Sequence, residues 1–190
     1  RCVTGASRRG HRMAGPLRSG VSHHASMSIQ IGPFRVERKI AEGGFGEIWR
    51  GRHAPSGQEV ALKVITREHA RDPSYYSAFR AEVQSVARLD HPGIVRVFDF
   101  GTVPEAANTY GSLVTGSPYL VMEFAPHGSL DQRLGGLRWE SSARVLMRVL
   151  RALAHAHARG LVHLDMKPGN ILLCGSADDV STDLKLTAFG

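Results

Sequence analysis

Apolar residues in the first half of the chain follow the spacing of short strands joined by turns. Three strands are predicted before residue 66, with a glycine cluster between the first two and a Pro-Ser-Gly turn between the second and the third. They cover Ile31–Ile40, Glu47–Gly51 and Val60–Ile65. This order of strands and turns predicts an antiparallel meander.

A helix and two further strands are predicted next. Asp72 suits an N-cap and Pro73 suits the first helical position. The apolar residues that follow recur every three or four positions and form one stripe, which should end near Asp90. The two strands are Ile94–Phe100 and Tyr119–Phe124, and the polar loop between them is long enough to be an insertion or a functional loop.

Helical spacing dominates the second half of the chain. A short helix is predicted over 129–134, and a long one is predicted from a cap at Ser141 or Ser142 to a stop at Gly160. Two short strand signals flank a polar turn near the end, at Ile171–Leu173 and Leu184–Leu186.

Composition places the 190-residue chain among globular domains, since 42% of its residues are hydrophobic and 22% are charged. No apolar run approaches the ~18 residues of a membrane-spanning helix, so this segment is not expected to cross a membrane. The two cysteines exclude a disulfide-rich scaffold and a cysteine-rich zinc module, and they agree with a reducing, cytoplasmic location.

The net charge of +7 suggests a nucleic-acid partner until the charges are located. Residues 1–26 carry five arginines and no acidic residue, whereas the other 164 residues hold 19 basic and 17 acidic side chains. The greater part of the chain is therefore near neutral, and no nucleic-acid partner is expected. Residues 1–27 are interpreted as a disordered basic tail, with a targeting peptide or a nucleic-acid arm as alternatives, and Met27 is a plausible natural start.

The glycine cluster lies between two predicted strands. A dinucleotide fold needs such glycines between a strand and a helix, so that interpretation fails here. A glycine hairpin can instead fold over a triphosphate, because the backbone amides of Gly43 and Gly46 can approach phosphates where no Cβ intrudes. A plain turn is the alternative.

Lysines are rare in this chain, with four among 24 basic residues: Lys39, Lys63, Lys167 and Lys185. Lys63 stands alone in an apolar strand, where it either points outward or reaches a phosphate. The second role needs a carboxylate to hold the ammonium, and Glu82 in the following helix could provide one.

The octapeptide 163–170 concentrates polar side chains in one loop, since Pro168 and Gly169 prevent a helix. Asp165 could accept a proton from a hydroxyl or orient it. Lys167 could stabilise a transferring phosphoryl group, and Asn170 could bind a metal ion. An Asx-type turn without catalytic function is the alternative.

These three elements, in this order, resemble the eukaryotic-type (Hanks-type) serine/threonine protein kinase family. Ile40–Ile48 is similar to its phosphate-covering loop, Val60–Lys63 to its V-A-I-K strand and His163–Asn170 to its catalytic loop. Lys185–Gly190 is similar to the segment that ends in D-F-G. The lysine two residues after Asp165 is similar to that of the serine/threonine branch of the family. The high content of arginine and alanine suggests a bacterial source.

The resemblance implies an α+β, two-lobed fold with ATP in the cleft. The small lobe, 34–124, is expected to contain a five-stranded antiparallel sheet and one helix. A hinge over 123–128 leads to 129–190, an incomplete, helical large lobe, so that 28–190 is a partial kinase domain.

The family's catalytic roles carry over by position. Lys63 is implied to contact the α- and β-phosphates of ATP and to pair with Glu82. Asp165 is implied as the catalytic base, Lys167 as the group that assists at the γ-phosphate, and Asn170 as a Mg²⁺ ligand.

The remaining implied contacts surround the nucleotide. Ile48, Ala61 and Leu172 would sandwich the adenine ring. The others are Ile40, Gly43, Phe45 and Gly46 in the glycine loop and Met122, Glu123 and Ala125 in the hinge.

Three positions depart from the family pattern. Ala41 replaces the first glycine of the loop, which a methyl group can tolerate. Leu164 replaces the arginine that normally meets a phosphorylated activation loop. Ala188 replaces the D-F-G aspartate, and because a methyl group cannot coordinate Mg²⁺, the transfer rate is expected to fall about a thousandfold or more.

Three functions are therefore carried forward: a serine/threonine kinase domain whose fragment is itself inactive, a pseudokinase that binds nucleotide as a scaffold, and a non-functional truncated product. The partners expected are ATP, Mg²⁺ and a protein substrate of unknown identity. With the chain ending at Gly190, the face of the long helix over 142–159 is also expected to expose apolar side chains.

Overall fold

The computed structural model describes residues 29–43, 46–65, 73–105, 113–176, 179, 181 and 183–187. The predicted basic tail over 1–27 and the predicted N-cap Asp72 lie outside these residues. The described chain has two consecutive parts. The first is a large sheet with one helix, and the second is a mostly helical part that contains a small sheet.

The large sheet has six antiparallel strands in the order β1-β2-β3-β4-β6-β5. The antiparallel meander predicted from the apolar spacing is confirmed. The strands are β1 Ile29–Ile31, β2 Phe34–Gly43, β3 Gly46–His53, β4 Glu59–Ile65, β5 Val97–Thr102 and β6 Pro118–Glu123.

The sheet contains one strand more than the five expected. The segment predicted as one strand over Ile31–Ile40 is a hairpin that turns at Gly32, where φ is +56° and a residue with a Cβ would be strained. Pro33 follows and has no N–H for a strand ladder. The turn places Ile31 directly opposite Phe34, and both side chains are buried.

Strand β4 lies at the centre of the sheet and is buried on both faces, which explains its continuous apolar run. Val60, Leu62 and Val64 point to the core beneath β1 and β2. The alternate residues Ala61 and Ile65 point to the opposite face, toward the rest of the chain. Lys63 lies between these two on that second face, because side chains alternate along a strand.

Helix α1 covers Pro73–Val86 and packs Phe79 and Val83 against Ile65 of β4. It begins at Pro73 as predicted and ends at Val86, before the predicted stop near Asp90. The start of the next strand is also later than predicted, at Val97 in place of Ile94. Backbone groups of 93–95 bond instead to the end of the chain, which removes them from the sheet.

The second part of the chain begins with a 3₁₀ helix, Leu130–Gly136, near the predicted short helix. Helix α2 covers Trp139–His157, and a short 3₁₀ helix, Pro168–Asn170, leads into the predicted strands β7 Ile171–Leu173 and β8 Leu184–Leu186. The two strands pair antiparallel.

The buried side of α2 packs Val149 and Ala152 on the strands β7 and β8. Neither predicted serine caps this helix, whose N-cap is Arg138. The hydroxyl of Ser142 donates to the Arg138 carbonyl from inside the first turn. After the helix, Gly160 adopts φ +76°, in agreement with the predicted glycine stop.

The outward side of α2 carries large apolar side chains, as expected. Leu146, Met147 and Leu150 are each more than half exposed. Within the described residues, no helix is long and apolar enough to cross a membrane.

Gly51 offers a test of the β3 packing. A Cβ at this position would lie 2.6 Å from the Arg35 carbonyl oxygen and 2.8 Å from Leu62 Cδ1. We expect Gly51→Ala to lower the free energy of unfolding by about 2–3 kcal/mol, because the backbone of Arg35 cannot move aside without loss of strand pairing. Urea denaturation measures this difference.

The matched control is Gly135→Ala, where an added Cβ meets no atom within 4 Å. It is expected to change the free energy of unfolding by less than about 1 kcal/mol. Equal losses in the two variants would contradict the packing argument.

Candidate active site

A pocket opens between the second face of the large sheet and the strand β8. Helix α1, strands β4 and β6, and the end of β8 all contribute to its wall. The lining is apolar with a single cationic side chain: Lys63, Phe79, Val83, Val86, Val95, Val97, Leu120, Met122, Leu186 and Thr187.

Lys63 therefore does not point outward from its strand. Its side chain is half-buried and lines the pocket. Among the side chains that the structure describes, none forms an ion pair with Lys63. Glu82 lies in α1, but its side chain is outside the described part, so the Lys63–Glu82 pair stays a prediction.

The three residues expected to sandwich an adenine ring converge in one cluster next to this pocket. Ala61 is buried there, and Ile48 and Leu172 pack against it although more than 100 residues separate Leu172 from the other two. Met122, the register partner of Ala61 across β4 and β6, belongs to the same cluster. Val95 is buried there too, which the sequence did not indicate beyond its apolar character.

The glycine hairpin connects β2 to β3. Gly43 pairs with Gly46, and a Cβ at Gly46 would collide with the Val64 carbonyl oxygen, so glycine is required there for close approach of β3 to β4. A Cβ added at Gly43 would meet no atom within 4 Å, and Ile40 is 39% exposed. Phe45 lies outside the described residues.

Lys39 forms ion pairs with both strands at the base of this hairpin. Its ammonium lies 2.8 Å from a Glu42 carboxylate oxygen and 3.1 Å from one of Glu47. These two carboxylates are directly opposed in the strand register and would otherwise repel each other. Hydrogen bonds from Lys39 to both carboxylates raise the pKa of its ammonium.

The residues predicted to form the hinge lie at the end of β6 and directly after it. Met122 is buried, whereas Glu123, Phe124 and Ala125 are half-buried. The Arg50 guanidinium lies 5.3 Å from the centre of the Phe124 ring, within cation–π distance. The Glu123 carboxylate is paired and does not enter the pocket lining.

The loop 163–170 brings its three functional candidates together. Lys167 Nζ donates to Asp165 Oδ2 at 2.6 Å, and Asn170 Nδ2 donates to the same oxygen at 3.0 Å. Asn170 Nδ2 also lies 2.8 Å from the Asp165 carbonyl. The hydrogen bonds from Lys167 and, secondly, from Asn170 lower the pKa of Asp165. Asp165 is therefore an ionised carboxylate at neutral pH.

Two features shape this loop. The His163 ring is buried, and its Nε2–H donates to the Thr187 carbonyl at 2.9 Å. Burial lowers the pKa of His163, which keeps the ring neutral near pH 7. Leu164 has φ +54°, a strained conformation for a bulky residue, and its side chain is 79% exposed.

Thr187 connects the catalytic loop with the pocket. It lines the pocket, its N–H donates to the Asn170 carbonyl at 3.0 Å, and its own carbonyl accepts from His163. Thr187 lies in Lys185–Gly190, the segment similar to the one that ends in D-F-G, but no role of its own was predicted for it from the sequence. Ala188, the next residue, lies outside the described part of the chain.

The donor set fits Mg²⁺ poorly. The Asn170 amide and the Asp165 carboxylate are oxygen ligands of the kind that Mg²⁺ accepts. Within the part of the chain that the structure describes, however, no three His, Cys, Asp or Glu side chains cluster closely enough to hold a metal ion. The residue after Thr187 is an alanine, which has no ligand atom in its side chain.

Comparison with known proteins gives consistent matches. A family model described as protein kinase domain matches residues 34–190. Serine/threonine-protein kinase PknA of Mycobacterium tuberculosis is 40% identical over 162 residues, which are 84% of this chain and 35% of PknA. PrkC of Bacillus subtilis is 32% identical over 162 residues, 84% of this chain and 22% of PrkC. The chain thus spans about a third or less of these two relatives.

A solved structure shows the same architecture. The kinase domain of Mycobacterium tuberculosis PknI superposes with a TM-score of 0.65 at 27% sequence identity. The superposition covers 85% of this chain and 61% of the PknI chain.

The lowered pKa of Asp165 can be tested by titration. Its stabilising contribution is present above the ordinary value of 3.8 and is lost as the pH falls through the lowered pKa. Lys167→Met is expected to raise the pKa of Asp165 more than Asn170→Leu does, since the Lys167 hydrogen bond is the larger cause. Carbon-13 NMR of the Asp165 carboxyl group measures both changes.

The control for this titration is Lys39→Met, which removes a cation distant in sequence from the loop and should leave the Asp165 titration unchanged. An Asp165 pKa that does not rise in Lys167→Met would show that the ion pair does not persist in solution.

Proposed function

The chain belongs to the protein kinase domain family, and we propose that it is the ATP-binding part of a serine/threonine protein kinase. Such an enzyme transfers the γ-phosphate of ATP to Ser or Thr hydroxyls of proteins. The observation that carries the proposal is the link through Thr187, which joins an apolar pocket containing Lys63 to the loop of Asp165 and Asn170. In this proposal 34–124 is the small lobe, 123–128 the hinge and 129–190 the first part of the large lobe.

The nucleotide pocket has an apolar end and a cationic end. Adenine would lie in the cluster of Ala61, Ile48 and Leu172, where a flat ring gains from burial, with the backbone of 122–125 beside it. The ammonium of Lys63 would meet the phosphates, which suits its place in an otherwise apolar lining. The glycine hairpin of β2 and β3 would cover the phosphates with its backbone amides.

The loop residues would act on the transferring group. The Asp165 carboxylate would accept a hydrogen bond from the substrate hydroxyl and orient its oxygen toward the γ-phosphorus. A new O–P bond forms there as the bond between phosphorus and the ADP oxygen breaks, and the hydroxyl proton passes to Asp165 or to the product phosphate. Lys167 would neutralise charge on the transferring oxygens.

Mg²⁺ would supply charge neutralisation across the phosphates in a complete site. Asn170 would be one ligand here, while Ala188 offers none. We propose that this chain binds ATP with weakened dependence on Mg²⁺ and transfers phosphate slowly, which makes a nucleotide-binding pseudokinase the second candidate. The exposed, strained Leu164 bears on regulation instead, because an apolar side chain there cannot bind a phosphorylated activation loop.

The proposed partners are ATP and a protein that carries the acceptor hydroxyl. A reducing, cytoplasmic placement is proposed from the use of ATP and from the free thiol of Cys174.

ATP binding by the full chain tests the function directly. Lys63→Met is expected to weaken ATP binding by about tenfold or more, since an ammonium–phosphate contact is lost. Isothermal titration calorimetry with ATP measures it. The matched control is Arg138→Met at the start of α2, which breaks the exposed pair of Arg138 with Glu140. Neither residue lines the pocket, so the ATP affinity of this variant should equal that of the wild type. A wild-type chain that binds no ATP would refute the proposed function.

The role of Ala188 can be tested by restoring a carboxylate. Ala188→Asp is expected to raise ATP affinity at least about tenfold in Mg²⁺ and to leave it unchanged in EDTA, because the new carboxylate acts only through the metal. Fluorescence titration with and without Mg²⁺ measures the difference. If Mg²⁺ raises the ATP affinity of the wild-type chain as much as that of the Ala188→Asp variant, the proposal of a weakened metal site is wrong.

A further inference from the structure

Two of the four lysines are not used by the proposed function, and each is held by carboxylates. Lys39 clamps the glycine hairpin, as described above. Lys185 lies on β8, and its ammonium is 2.7 Å from Glu123 Oε1 and 2.8 Å from Oε2. The two partners are 62 residues apart in the chain, and their side chains are 15% and 28% exposed. This is a two-oxygen contact that solvent screens only partly.

The ion pair joins β8 to the hinge at the end of β6. A second contact lies next to it, where Thr187 Oγ1 donates to Met122 Sδ at 3.8 Å. Lys185 lies on β8 and Thr187 directly follows this strand, while Met122 and Glu123 are the last two residues of β6. Two side chains at the end of β8 therefore contact two neighbouring residues at the end of β6.

The backbone of Glu123 is held from another direction. Its N–H donates to the Arg96 carbonyl at 2.9 Å, and the Arg96 N–H lies 3.4 Å from Glu123 Oε2. These bonds fix the hinge to the segment before β5. Lys185 links Glu123 itself to β8, whereas the far end of the hinge is joined to β7 by backbone bonds of His127 and Gly128 with Leu173.

Lys185 also lies beside the pocket wall. Its register partner on β7 is Leu172, which packs in the cluster with Ala61, and the next residue on β8, Leu186, lines the pocket. A shift of Lys185 would therefore move both the hinge and the surface facing it. The spacing between these two surfaces is the space that a flat ring would occupy.

We propose that Lys185 is a positioning residue of the nucleotide pocket, and that its ion pair with Glu123 sets the distance between the hinge backbone and the apolar wall around Leu172. This inference rests on the proposed function, because it assigns the adenine end of that same pocket. Lys185 acts through Glu123 and does not touch the phosphates.

The test compares adenosine and ATP as probes, each titrated into the full chain in EDTA. Lys185→Met is expected to weaken the binding of both probes by the same factor, about tenfold, because a partly buried carboxylate loses its partner and Glu123 loses its link to β8. Lys63→Met is expected to weaken ATP alone, with adenosine changed by less than about twofold, since an ammonium acts on phosphates. Calorimetry well below the melting temperature separates affinity from stability.

Two control variants accompany this comparison. Lys185→Arg keeps the cation and is expected to retain both affinities within about threefold. Arg138→Met breaks the exposed pair of Arg138 with Glu140 at the start of α2, away from the pocket lining, and should leave both affinities unchanged. Rescue by arginine is a result that a merely space-filling role for Lys185 would not produce.

The outcomes separate this inference from the proposed function. If folded Lys185→Met binds adenosine as tightly as the wild type, the positioning role is wrong while ATP binding stands. If the wild-type chain binds neither probe, the proposed function fails and this inference fails with it. Should Lys185→Met not fold, Lys185→Met/Glu123→Leu leaves no unpaired charge, and unchanged adenosine affinity in it overturns the inference.

Cys174 gives a second measurement of the same ion pair. Burial and, to a smaller extent, the carboxylates of Glu123 and Asp183 raise the pKa of its thiol to about 11, while Lys185 acts to lower this pKa. In a Cys2→Ser background, Glu123→Gln is expected to speed the reaction of Cys174 with iodoacetamide and Lys185→Met to slow it, because the thiolate is the reactive form. Equal rates in all three proteins would show that the pair does not form beside Cys174, and would overturn the inference.

Discussion

Two backbone hydrogen bonds of Leu186 hold the sheet part of the molecule to the helical part. The Leu186 N–H donates to the Gly93 carbonyl and its own carbonyl accepts from the Val95 N–H, both at 2.9 Å. The Leu186 side chain is fully buried among residues of α2 and β7. Strand β8 is therefore fixed on the side of α2 by packing and on the side of the sheet by its backbone. The pocket wall, the catalytic loop and the hinge contacts all depend on where β8 lies.

The residues on either side of Leu186 use that position. Lys185 reaches Glu123, and Thr187 reaches Met122 and the backbone of Asn170. The strand β8 and the residue that follows it thus contact the hinge, the pocket and the loop 163–170. Because these contacts are short-range and directional, a small displacement of β8 would disturb all three together.

The site contains few charged side chains, and most of them have a hydrogen-bond or ion-pair partner. Lys167 and Asn170 keep Asp165 ionised, and Lys39 separates two opposed carboxylates beneath the glycine hairpin. Lys63 is the cation that lines the apolar pocket, and the side chain of its predicted partner Glu82 lies outside the described part of the chain. An ammonium in an apolar wall is suited to an anionic ligand, because a counter-charge offsets the unfavourable burial of the cation.

Local spacing and motif residues were enough to predict most of the helices and strands and the candidate residues of the loop 163–170. Alternating and three- or four-residue spacing located the meander, both helices and the strands β7 and β8, because backbone hydrogen bonding repeats with those periods. Motif residues identified Lys63, Asp165 and Asn170 before any contact was known. The extra strand β1 and the later start of β5 were missed, since a turn at Gly32 and backbone bonds of 93–95 to β8 compete with the local pattern.

Contacts between residues far apart in the chain could not be predicted from any of these local patterns. The pair of Lys185 with Glu123, the part played by Thr187, and the convergence of Ala61 with Leu172 all depend on the register of strands far apart in the chain. Register is set by how whole faces pack, and no short stretch of sequence contains that information. The residues proposed to carry the chemistry could therefore be predicted from the sequence, while the contacts that position them could not.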